Sequence, residues 1–284
     1  MNILVLGASG MLGNAMMRVM SENIDLNVYG TVRNENTKRF FKQEIGEKLI
    51  FNIDILNQES LLNAFAVTKP AVVINCVGLI KQLAIAEDPL QAIPINALLP
   101  HKLAQICAVA GARLIHMSTD CVFSGSKGGY VEADISDALD LYGKSKFLGE
   151  VDYPHALTLR TSIIGHELNS KLALVNWFLS QTNECNGFTK AIFSGFPTVA
   201  LAQLIRDVVI PKPELNGLYH IATTPITKFD LISLIAEVYG KKIKIIPNDD
   251  LVIDRSLNAE LFKAATGYEA QPWLQLIQTM HYYQ

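Results

Sequence analysis

A doubly wound α/β fold, with a parallel sheet covered by helices on both faces and a smaller, discontinuous carboxy-terminal lobe, is the architecture these 284 residues predict. Three observations carry it: short β-rich apolar runs alternate with helical stretches through the first half, the first run feeds directly into a glycine-rich turn and a helix, and the alternation loosens only after Arg160. Strands are expected at 3–6, 26–31, 48–52, 71–76, 113–118 and 156–160. Helices with an apolar stripe at helical spacing fall at 11–20, 58–66, 96–109 and 142–151. Farther on, 172–179 and 228–239 read as amphipathic helices on longer loops. Residues 217–222 read as one more strand that returns to the main sheet. The expected division is therefore 1–165 with 197–223 returning to it, and a second lobe made of 166–196 and 224–284.

Half of the residues are hydrophobic and 18% are charged, enough to bury one large core or two smaller ones. The net charge is −3 with Lys and Arg scattered, which excludes the basic footprint of a nucleic-acid partner. Cys76, Cys107, Cys121 and Cys185 show no CxxC pairing and read as reduced thiols. The chain enters an apolar strand directly after Met1 and Asn2, and no apolar run reaches about 18 residues, so a cytoplasmic protein without membrane contact is expected. His101, His116, His155, His166, His220 and His281 lack ligand spacing, so no metal site is expected.

Gly7, Gly10 and Gly13 punctuate the turn after the first strand, with Met11 and Leu12 opening the helix. A GxxGxxG run in that context lets a pyrophosphate approach bare backbone, where helix N–H groups and the dipole hold it. This is the phosphate turn of a Rossmann-type dinucleotide fold. The segment after the second strand reads Thr31-Val32-Arg33-Asn34 and offers no carboxylate for ribose hydroxyls. A guanidinium at Arg33 suits a 2′-phosphate, which favours NADP(H) over NAD(H).

Tyr142 and Lys146 stand four residues apart on one helical face, a spacing that sets an ammonium beside a phenol and is expected to lower the pKa of that phenol. Lys146 also has a donor for the nicotinamide ribose. Thr119 and Asp120 close the fifth strand, at the sheet edge where ligands bind, and Thr119 is placed to hydrogen-bond a substrate carbonyl or hydroxyl. The reading requires Thr119 and Tyr142 to converge.

Together these pieces resemble the extended short-chain dehydrogenase/reductase family, and within it the dTDP-4-dehydrorhamnose reductase branch. The likeness is carried by GASGMLG at 7–13, VINCVG at 73–78, STDCVFSG at 118–125, YGKSK at 142–146, LRTSIIG at 159–165, SGFPTVALA at 194–202 and GLYHIA at 217–222. The resemblance implies a catalytic Thr119, Tyr142 and Lys146, with Tyr142 protonating a ketone oxygen while NADPH delivers hydride. It implies that Asp54 and Ile55 lie near the adenine, that Cys76, Val77 and Gly78 line the dinucleotide cleft, and that the second lobe takes a nucleotide-sugar. A homodimer through the long sheet-covering helices suits the same architecture.

Two departures leave the sugar open: Cys121 stands where this branch usually has tyrosine, and the stretch from Gly165 to Leu168 does not resemble the rhamnose enzymes. A 4,6-dehydratase would need an Asp-Glu acid pair, and Cys121 occupies the Glu place. An NAD-retaining epimerase would carry an acidic residue after the second strand. The non-enzyme alternative is a regulatory subunit that keeps the dinucleotide site but leaves it catalytically idle.

Overall fold

The computed structural model describes residues 1–81, 84–168 and 170–284. Seven strands form the central sheet: β1 (Asn2–Leu6), β2 (Asn27–Thr31), β3 (Leu49–Ile50), β4 (Val72–Asn75), β5 (Arg113–Thr119), β6 (Ala156–Thr161) and, after an excursion, Gly217–His220. Every neighbouring pair is parallel, in the order Gly217–His220, β6, β5, β4, β1, β2, β3. A parallel sheet needs helices on both faces, and the side chains show it. Ile3, Val5, Ile74, Ile115 and Leu157 enter one core, with the helix Met11–Met20 and the helix Thr198–Leu204. Their neighbours Leu4, Leu6, Val73, Leu114 and Ala156 enter the other, beneath the helices Gln58–Thr68 and Leu99–Ala110. Strand alternation thus divides one sheet between two cores.

The remaining strands are short: β7 (Ile163–Ile164), β8 (Glu184–Phe188), β9 (Ala191–Phe193) and β10 (Phe196–Pro197) before the return strand β11 (Gly217–His220), then β12 (Ile226–Thr227), β13 (Lys244–Asn248) and β14 (Ile253–Asp254). β8 pairs with β13, β9 lies between β12 and β14, and β7 pairs with β10. The helices Leu174–Ser180 and Lys228–Val238 match the two amphipathic segments expected there. The last helix, Trp273–Tyr282, folds back toward the first: Arg18 Nη2 donates to the Tyr283 carbonyl at 2.6 Å.

Two helix boundaries depart from the sequence-based expectation. The helix expected at 142–151 is Leu141–Leu148 and stops three residues early, with Gly149 as its cap, where a Cβ would run into the Asn96 carbonyl. The helix expected from Asn96 begins earlier, with a turn at Pro89–Ala92 and a widened π-type stretch at Ile93–Leu98 leading into Leu99–Ala110. Pro94 lacks the N–H that a regular turn would use, and the widened stretch contains it. That stretch also carries the buried Asn96.

The order reverses at β1, whose neighbours are β2 on one side and β4 on the other. In an open α/β sheet, that reversal leaves a crevice at the carboxyl ends of the strands. No helix among the described residues is long and apolar enough to cross a membrane.

Candidate active site

The turn after β1 is built for close approach. Gly7 sits at φ +79°, and a Cβ there would lie 2.9 Å from Val77 Cγ2; a Cβ on Gly13 would strike the Gly7 carbonyl oxygen. Only glycine fits either place. Ala8 N–H donates to the Thr31 carbonyl at 3.0 Å and Gly7 N–H to Thr31 Oγ1 at 3.1 Å, which ties the turn to β2. Gly10 caps the helix Met11–Met20 without a side chain, so the first-turn N–H groups of Met11, Leu12 and Gly13 remain available to an anion. The residues present fit a dinucleotide pyrophosphate.

The other expected binding residues follow along the same sheet edge. Arg33 is exposed two residues beyond β2, and no ion pair engages it among the described residues. Ile53 N–H donates to the Val32 carbonyl at 3.1 Å, which brings the exposed Asp54 and half-buried Ile55 beside the Arg33 segment. Asp54 Oδ1 accepts from Leu56 N–H at 2.9 Å. Cys76, Val77 and Gly78 follow β4, with Val77 against the glycine turn.

Thr119 ends β5 and is buried, its Oγ1 donating to Asp120 Oδ1 at 3.2 Å and accepting from Cys121 N–H at 3.1 Å. The half-buried Tyr142 enters from the helix Leu141–Leu148, near enough to the Thr119 hydroxyl for that group to pull its pKa down against the effect of burial. The two side chains do converge. A Cβ on Gly143 would collide with the Cys121 carbonyl, so the glycine next to Tyr142 sets how closely this helix meets the β5 loop. Asp140 fixes the helix start by accepting from Gly143 N–H at 2.8 Å.

The electrostatics correct one expectation. Lys146 was expected beside the phenol to lower its pKa, yet burial pushes Tyr142 well up, and Cys121, Asp120 and Asp140 add to the effect. The Lys146 ammonium instead donates to the Met117 carbonyl at 2.7 Å, a buried acceptor that replaces lost water. Burial brings Lys146 down to about 8, against the upward pull of Glu150 and then Cys76. Cys121 is no core thiol: it lies half-buried in the site, and burial pushes it up to about 12. Burial raises Asp120, countered by Arg255 and nearby hydroxyls.

Sequence reasoning passed over several participants. Asn96 accepts from Leu79 N–H at 2.9 Å and donates to Ser145 Oγ at 3.2 Å, joining the loop after β4 to the Tyr142 helix. Its signal was only an asparagine beside prolines. Lys228 and Arg255 come from the chain beyond β11 and act electrostatically on Asp120 and Cys121, with Arg255 Nε donating to the Phe123 carbonyl at 2.7 Å. Nothing local in the sequence marks them.

Comparison with known proteins agrees with this fold and gives the family. The chain is 26% identical over 258 residues to methionine adenosyltransferase 2 subunit beta of Xenopus tropicalis, covering 84% of this chain and 72% of that protein. It is 24% identical over 253 residues to a dTDP-4-dehydrorhamnose reductase of Aggregatibacter actinomycetemcomitans, covering 85% and 80%. The crystal structure of dTDP-4-dehydrorhamnose reductase from Bacillus anthracis in complex with NADP superposes with a TM-score of 0.79 at 20% identity, over 100% of this chain and 99% of that one. A model of the RmlD substrate binding domain matches residues 1–279, and the chain belongs to that family.

Proposed function

We propose that this chain is a cytoplasmic reductase that uses NADP(H) to reduce a nucleotide-activated 4-keto 6-deoxy sugar, in the synthesis of cell-surface polysaccharide precursors. By family it is an NAD(P)-dependent oxidoreductase, and its reductase relatives support a role on sugars. One observation carries the reading: Thr119 and Tyr142 are neighbours at the end of β5, close enough for the hydroxyl to act on the phenol. A raised pKa keeps that phenol protonated at neutral pH, the state required of a group that gives its proton to a ketone oxygen. Thr119 hydrogen-bonds the same oxygen, and Lys146 orients the nicotinamide ribose. The bound dinucleotide supplies the hydride.

In this reading Gly7, Gly10, Met11, Leu12 and Gly13 receive the pyrophosphate and Arg33 the 2′-phosphate, with Asp54 and Ile55 at the adenine and Cys76, Val77 and Gly78 along the cleft. NAD(H) is the weaker alternative. Residues 1–165 with 197–223 form the dinucleotide-binding part, and 166–196 with 224–284 the substrate lobe. Asp120 faces the substrate, and the positive charge of Lys228 and Arg255 beside it suits the phosphates of a nucleotide-sugar. A homodimer through the sheet-covering helices completes the proposal.

The likeness to methionine adenosyltransferase 2 subunit beta favours a second reading, in which the same fold and dinucleotide site serve a protein complex without turnover. One assay separates the two. NADPH absorbance is followed against dTDP-, UDP- and GDP-linked 4-keto sugars, with Tyr142→Phe beside the wild type. We expect oxidation with one sugar, and a turnover lower by roughly 10²- to 10⁴-fold in Tyr142→Phe with NADPH binding unchanged. Binding of NADPH without oxidation by any sugar supports the second reading.

A further inference from the structure

Behind Thr119 and Lys146 lies a buried charge network that this chemistry does not use. Arg160, on β6, is only 2% exposed, and its guanidinium holds Glu150 at two points, Nε to Oε1 and Nη2 to Oε2, both at 2.7 Å. Ser118 Oγ donates to the same Oε1 at 2.6 Å. Arg160 also lies over the Phe123 ring, 5.2 Å from its centroid, and its Nη1 is 3.2 Å from His220 Nε2. His220 Nδ1 stands 3.0 Å from the Tyr130 carbonyl, which can only accept, so the imidazole proton sits on Nδ1 and Nε2 accepts from Arg160. Burial, then Arg160, brings His220 down to about 4, so it is neutral near pH 7.

The network meets the site along two successive residues of β5. Lys146 Nζ ends on the Met117 carbonyl and the Glu150 carboxylate on the Ser118 hydroxyl; Thr119 comes next. Glu150 also follows Lys146 by four residues. Resting on the reductase reading, we propose that Glu150 is a positioning residue: its carboxylate, held by Arg160 and Ser118, supplies the negative charge that keeps the Lys146 ammonium protonated and steadies the end of β5.

Among the described residues, Glu150 is the carboxylate that acts on Lys146, four residues on and anchored on the next residue of β5. Beyond β4, Cys76 is pushed up to about 12 by burial and is a neutral thiol. On β5, His116 is held far below its usual range, by burial first and then by Lys146, and is neutral. On the same helix, Tyr142 is a neutral phenol. Arg160 on β6 is the cation paired with Glu150, and Glu132 meets the network at its far end, accepting from the His220 backbone N–H at 2.7 Å. Without the carboxylate, the buried Arg160 guanidinium would be left unpaired next to Ser118, one residue from the Met117 carbonyl that holds Lys146.

The test reads the titration of Lys146 Nζ by NMR in ¹⁵N-lysine protein without added dinucleotide, with the signal assigned through Lys146→Arg. We expect Glu150→Gln to move the midpoint to lower pH by about one unit. Arg160→Gln should move it the other way, and Ser118→Ala, which keeps both charges, should leave it in place. NADPH binding followed by protein fluorescence should lose its alkaline limb at correspondingly lower pH in Glu150→Gln. An unmoved Lys146 midpoint in Glu150→Gln overturns the proposal, as does a shift of the same sign in both charge variants, which general loosening would produce. If Glu150→Gln does not fold, an unmoved midpoint in Arg160→Gln overturns it. Failure of the wild type to bind NADPH would count against the reductase reading alone, because the Lys146 titration needs no dinucleotide.

Discussion

Lys146 is a charged side chain held where water is scarce, and its cost can be given a sign. The folded value near 8 lies below the unfolded value of about 10.4, so between these pH values the unfolded state binds more protons and stability rises with pH. Below pH 8 the full cost is present, on the order of 3 kcal/mol. Lys146→Met should therefore raise the melting temperature by a few degrees at pH 7, a gain that shrinks toward pH 10, while weakening dinucleotide binding; calorimetry across pH checks it. At the other end of the proposed cofactor site, Arg33 is exposed and unengaged, which leaves it free to meet a phosphate. Arg33→Ala should weaken NADPH about 10- to 100-fold, as expected for loss of a charge-assisted contact, and leave NADH nearly unchanged by fluorescence titration. Equal losses for both dinucleotides would remove the argument for a 2′-phosphate contact.

At the scale of elements, the Tyr142 helix has only eight residues and depends on its ends. Asp140 does two things there: it caps Gly143 N–H, and its carboxylate pairs with Lys81 at 2.6 Å. The pair is exposed and worth little, so the cap should dominate. Asp140→Ala is expected to cost about 1 kcal/mol in urea unfolding and to lower turnover, whereas Lys81→Ala should cost a few tenths. The start of this helix was legible to within one residue because Tyr142 and Lys146 have helical spacing, while its Asp140 cap was not read from the sequence. Its end was not, and the close approach of the capping Gly149 to Asn96 joins positions 53 apart in the chain. The π-type stretch was hidden for the same reason: propensity marks Pro94 as a defect but does not say that the helix widens around it.

Across the whole molecule, apolar side chains remain uncovered on the helices flanking β5, with Leu90 80% exposed and Leu148 60%. Phe147 adds an exposed ring on the same helix as Leu148. The proposed homodimer would cover apolar side chains such as these, and exposed apolar surface commonly marks an interface. Sedimentation should give twice the chain mass for the wild type and the chain mass for Phe147→Asp/Leu148→Asp, with the fold intact by circular dichroism. A wild-type monomer at micromolar concentration would discard the dimer. The sequence by itself determined the sheet, the glycine turn and the order of the catalytic candidates, because these rest on local periodicity, on backbone freedom at Gly7 and on residues close in the chain. Tertiary structure alone decided where the Lys146 ammonium goes, which anion balances it, and that Lys228 and Arg255 reach Asp120. Burial and long-range pairing set the charge of a group, and neither is written in the spacing of neighbouring residues.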